Sequence, residues 1–119
     1  MKTTDLLQVA GWEVVQPEAP ERDVSAGYTS DLLSDVMANA PEHAVWITLQ
    51  AHANSVAVAA LAGISAVLLC HRRAVPADML AAARREGMLL LRTSENQYEA
   101  SVRLHGLLST EPHPGEPAR

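Results

Sequence analysis

Apolar residues recur along this chain at two periods, one helical and one extended, and the switches between them mark out its elements. Leu32, Leu33, Val36, Met37 and Ala40 form one helical stripe, opened at Ser30 and ended by Pro41. Residues 44–49 are rich in β-branched and aromatic side chains and read as a strand. Asn54 is placed to cap a helix that runs to Ala62 and stops at Gly63. Residues 64–70 are continuously apolar but for Ser65, as in a strand covered on both faces. Pro76 and Gly87 bracket the next helix, with proline at its start and glycine at its end. Residues 88–91 read as another strand. Ser94-Glu95-Asn96-Gln97 then matches a capping box that opens a helix running to Leu107.

The amino-terminal part is choppier. Residues 5–10 predict a short helix stopped by Gly11, and residues 12–15 a short strand. Residues 16–22 hold two prolines and read as a loop, and residues 23–28 as a second short strand. After residue 108 the chain has three prolines and a glycine in eleven residues, a composition that neither continues a helix nor joins a sheet. The expected organisation is one domain over residues 1–108 and a disordered tail over 109–119.

Strands that recur about every 20 to 24 residues with a helix between them demand parallel pairing, because each crossover needs a helix-length connection. The predicted fold is α/β: a small three-layer domain with a mainly parallel sheet of four to five strands flanked by helices. Ligands of such sheets bind outside the carboxyl ends of the strands. That rule selects residues 27–30, 50–54, 71–75 and 92–94.

Composition narrows the function classes. Of 119 residues, 48% are hydrophobic, enough for a core, yet only 3% are aromatic and there is no Phe. The core must therefore be aliphatic. The net charge of -5 argues against a nucleic-acid partner. The dense basic spots, His71-Arg72-Arg73 and Arg84-Arg85, read as a solvated loop and a solvated helix face. The lone Cys70 cannot form an internal disulfide and fits a reducing compartment. Gly63 breaks the longest apolar stretch, and no signal peptide is recognisable at the amino terminus. A cytoplasmic protein without a membrane partner is expected.

No phosphate loop or glycine-rich dinucleotide fingerprint follows any strand, which argues against a conventional ATP or NAD site. The richest polar stretch is Gln50, His52 and Asn54, at a strand-to-helix junction where backbone N–H groups attract anions. Asn54 is equally explained as a cap, and the others as solvated. Asp31 and Asp35 are one helical turn apart and suit either a carboxylate pair or a charged helix start. Thr93 and Ser30 offer hydroxyls at strand ends. His52 has no second ligand at helical spacing, so no metal site is expected, and no cofactor.

The run Gly27-Tyr28-Thr29-Ser30-Asp31-Leu32-Leu33-Ser34-Asp35-Val36-Met37-Ala38-Asn39-Ala40 is followed by Trp46-Ile47-Thr48-Leu49-Gln50-Ala51-His52-Ala53-Asn54. Together they resemble the DRTGG domain family, in particular its short stand-alone members, over residues 1–108. The literal Asp-Arg-Thr-Gly-Gly string is absent. The family is similar to the amino-terminal domain of HPr serine kinase/phosphorylase, whose phosphate loop lies in a different domain. The resemblance implies a regulatory role, adenine-nucleotide control and homodimer formation. The expected function is therefore a non-catalytic regulatory module. It would bind a nucleotide or phosphometabolite at the strand ends, against Ser30, Asp31, Asp35, Gln50, His52, Asn54 and Thr93. The alternative is an interaction or dimerisation module that docks on itself or on a partner enzyme without a small ligand. A small enzyme using Asp31, Asp35 and His52 is a third, weaker expectation.

Overall fold

The four apolar runs between residues 26 and 92 become neighbouring parallel strands. In the computed structural model, which describes residues 1–110, these are β2 (Ala26–Thr29), β3 (Ala44–Thr48), β4 (Ala66–Leu69) and β5 (Leu89–Arg92). The fifth strand, β1 (Glu13–Gln16), joins antiparallel at the β5 edge, giving the order β1-β5-β4-β3-β2. Every residue of β3 and β4 is buried. Continuous hydrophobicity is what a strand covered on both faces requires.

Consecutive strands step in one direction, so the crossover helices α2 (Leu33–Asn39), α3 (Ala53–Ala62) and α4 (Ala77–Glu86) share one face. That face packs Val36, Trp46, Val56, Ala59, Met79 and Leu90 into one cluster. Alanines at 59, 82 and 83 let the helices approach closely. The short α1 (Thr3–Leu6) and the long α5 (Gln97–Ser109) cover the opposite face, where Leu6, Trp12, Ile47, Leu68, Leu91 and Leu104 form a second cluster. The expected three-layer α/β architecture is therefore the observed one. Gly63 and Gly87 end α3 and α4 at φ 74° and 61°, a left-handed conformation that costs glycine least.

Several local expectations are corrected. The capping box of α5 is Asn96 with Glu99, not Ser94 with Gln97: Asn96 Oδ1 accepts from the Glu99 N–H and Glu99 Oε1 from the Asn96 N–H. Asn54 does not cap α3, because the helix begins at Ala53 with His52 at the cap position. The stripe on α2 is narrower than its sequence suggests. Only Val36 is buried, while Leu32 precedes the helix and is 63% exposed. A helix of seven residues at the sheet's edge has a neighbour on one side only. Helix α5 runs to Ser109, past its expected end at Leu107. The rest of the expected tail, 111–119, lies outside the described residues. Among the described residues no helix is long and apolar enough to cross a membrane.

Candidate ligand site at the carboxyl edge of the sheet

The carboxyl ends of β2 to β5 and the start of β1 meet along one lip of the domain, as parallel order and one antiparallel edge strand require. At its β2–β3 end sits Asp31. Its Oδ1 accepts from the Leu49 N–H at 2.8 Å, the Thr48 hydroxyl at 2.9 Å and Gln97 Nε2 at 3.0 Å. Gln50 Nε2 donates to the Asp31 carbonyl at 2.6 Å. Asp31 thus ties β2, β3 and α5 together. Gln50 joins the same knot.

Asp35 points elsewhere. The Tyr28 hydroxyl donates to it at 2.8 Å and Asn39 Nδ2 at 2.9 Å. Hydrogen bonds from Asn39, Ser30 and Tyr28 hold its carboxyl below the usual range. Asp31 and Asp35 have separate partner sets and do not form the carboxylate pair that their spacing suggested. The helix begins only after Leu32, so Asp31 is outside it. Ser30 Oγ accepts from the Leu32 N–H at 3.2 Å. Among the described residues, no three of His, Cys, Asp or Glu gather as a metal site.

Of the remaining expected residues, His52 and Asn54 are exposed at the start of α3, and their side chains make no hydrogen bond within the described residues. Thr93 is buried, and its hydroxyl is engaged with Glu95. Glu95 itself is a hub that the sequence did not announce. Its Oε1 accepts from the Trp12 indole N–H at 2.7 Å, and its Oε2 lies 3.4 Å from Arg103 Nη1. Arg103 in turn lies 5.8 Å from the centre of the Trp12 ring.

The β4–β5 end of the lip is basic. His71 and Arg72 leave β4 at φ 56° and 50°, both left-handed and neither glycine. Their N–H groups donate to the Glu95 carbonyl at 3.0 Å and the Thr93 carbonyl at 2.7 Å, which holds the conformation in place. Arg92 Nε donates to Glu13 Oε2 at 2.7 Å. That bond, first among its causes, holds the Glu13 carboxyl below the usual range, and the Arg72 charge adds to it. His71, Arg72 and Arg73 are all exposed, as expected of a solvated loop, and they follow β4 at the sheet edge that the strand-end rule selects. Cys70, beneath this loop, is buried. Desolvation, with Glu95 and Asp31 behind it, pushes its thiol up to about 12, which favours the protonated form.

No protein-family model matches the chain. No curated protein matches it either. Among solved structures it is similar to the CBS and DRTGG domains of the regulatory region of Clostridium perfringens pyrophosphatase, a structure in complex with an activator, diadenosine tetraphosphate. The superposition has a TM-score of 0.61 at 11% identity, and covers 76% of this chain and 40% of that one. The likeness is one of fold. The chain thus spans less than half the length of that structure, and at such identity the match carries architecture, not residues.

Proposed function

We propose that this domain is a non-catalytic regulatory module of the DRTGG type, which takes a small anionic ligand, a nucleotide or phosphometabolite, across the carboxyl ends of its parallel strands. One observation carries the reading. The carboxylates Asp31, Asp35 and Glu95 are tied into internal bonds, whereas His52, Asn54, Arg72, Arg73 and Ser94 are exposed along the same lip. Such an edge presents donors and positive charge on a fixed scaffold. Asp31 and Asp35 bond to separate partners, and burial raises the Cys70 thiol, which supports a non-catalytic reading. The fold likeness to a regulatory region with a nucleotide activator supports the same reading. Calorimetric titration of the full chain with AMP, ADP, ATP, diadenosine tetraphosphate and pyrophosphate tests it. Saturable binding below ~1 mM by at least one is expected. Silence from the whole panel at that concentration refutes it.

A second reading, self-association, is favoured by the β2 edge. At the opposite edge, β1 carries the charged Glu13, a bulge between Val14 and Gln16, and Pro17 immediately after it, all of which discourage strand addition. Strand β2 reads Ala-Gly-Tyr-Thr, with no charge, bulge or proline. Exposed apolar side chains flank this half of the domain: Tyr98 and Val102 on α5, which packs on β2, Met37 on α2, and Leu32 just before it. Sedimentation velocity is expected to show a dimer that Val102→Lys with Leu32→Lys converts to monomer. A wild-type monomer at all concentrations rejects this reading.

A further inference from the structure

A cleft of about 100 Å³ opens where β4 and β5 end beside the start of β1, lined by Gly11, Glu13, Arg72, Arg92, Thr93 and Ser94. We infer that this cleft is a phosphate subsite, in which the Arg72 and Arg92 guanidinium groups and the Ser94 hydroxyl hold one phosphoryl group of a nucleotide or other phosphate ester. The inference rests on the reading of the lip as a ligand site and fixes where the anionic end of that ligand sits.

Charge supports it. Two guanidinium groups share the cleft with a single carboxylate, Glu13. Arg92 spends its Nε on Glu13, and its Nη1 lies 3.4 Å from the Arg73 carbonyl. Those two contacts orient the fork and leave Nη2 for an anion. Arg72 forms no side-chain hydrogen bond or ion pair among the described residues, although its charge reaches Glu13. Arginine forks match phosphate oxygens in geometry as well as charge.

Backbone conformation supports it independently. Two consecutive non-glycine residues in the left-handed region, His71 and Arg72, are disfavoured and are concentrated in native folds at ligand-holding turns. Their N–H bonds to β5 and the loop after it fix the direction in which Arg72 leaves the chain. Size is also apt. The cleft, about 100 Å³, has room for a phosphoryl group.

The larger cavities suit an anion less. The one at the amino edge, about 430 Å³, sets Glu42 and Glu86 against Arg22 and His43, and Arg22 is spent on the Gly87 carbonyl at 2.8 Å. The groove between α5 and β2, about 280 Å³, is floored by Ile47, Leu104 and Leu108.

Calorimetry of the full chain with ADP and with inorganic pyrophosphate, at low salt, tests the assignment. Arg72→Ala is expected to weaken ADP binding at least tenfold. Arg72 is exposed and its backbone bond to the Thr93 carbonyl survives the change, so the variant should fold, as a thermal melt will verify. Glu13→Gln removes a competing charge while keeping an acceptor for Arg92, and is expected to tighten binding severalfold. If wild type and Arg72→Ala bind ADP equally, the subsite is overturned and the wider reading of the lip stands. If wild type binds neither ADP, nor pyrophosphate, nor any other nucleotide of the panel, the subsite and the wider reading both fall.

Discussion

Asp31→Ala is expected to lower the unfolding free energy by about 2–4 kcal/mol, in line with the loss of several hydrogen bonds to one charged acceptor. Three donors converge on Asp31 Oδ1, from the Leu49 backbone just after β3, the Thr48 side chain on β3, and α5. The alanine variant strands the Leu49 N–H and the Thr48 hydroxyl at a strand end, and frees the first turn of α5 from the sheet. Asp31→Asn keeps an oxygen acceptor and should lose less than half as much. Urea denaturation of the three proteins measures the difference. A loss below about 0.5 kcal/mol, the ordinary range for surface changes, would show that the knot does not hold the elements together.

A larger loss is expected at the centre of the sheet. Trp46→Ala should cost about 3–5 kcal/mol, the range for deleting a large aromatic from a packed core. Trp46 is fully buried on β3, among Val36, Val56 and Val67 in a core with no phenylalanine. Its indole N–H donates to the Ser30 carbonyl at 2.8 Å, so the substitution both opens a cavity and strands an acceptor. Domains of this kind hold roughly 5–15 kcal/mol in reserve. The variant is therefore expected either to melt many degrees below wild type or to lose its cooperative transition by circular dichroism. Trp46→Phe helps to separate the contributions, since it retains most of the volume while losing the N–H. A Trp46→Ala melt within a few degrees of wild type would mean that neighbouring side chains collapse into the space.

The central strands and the helices between them were legible because burial on both faces writes itself as unbroken hydrophobicity, as at 66–69. The glycine stops were legible because left-handed φ has few alternatives to glycine. Caps were less so. Ser94 and Asn96 are both good caps, and in the fold it is Asn96 that pairs reciprocally with Glu99. The candidate site was legible only as a location. Gln50, Thr93 and Asp31 were picked out by polarity at strand ends, and all three proved to be engaged within the fold. The residues that give the lip its basic end become visible only once strands are aligned. Glu13 and Arg92 are 79 residues apart, and Trp12 and Glu95 are 83 apart. No local pattern announces a partner at that range.

The order β1-β5-β4-β3-β2 also has a consequence in time. Each of β3, β4 and β5 pairs with the strand made just before it, so this part of the sheet can grow along the chain as it leaves the ribosome. Strand β1 is made first and pairs last, because its neighbour β5 is the last strand synthesised. Trp12 waits equally long for Glu95. The basic end of the lip, built from β1, β4 and β5, is therefore completed only when the sheet closes.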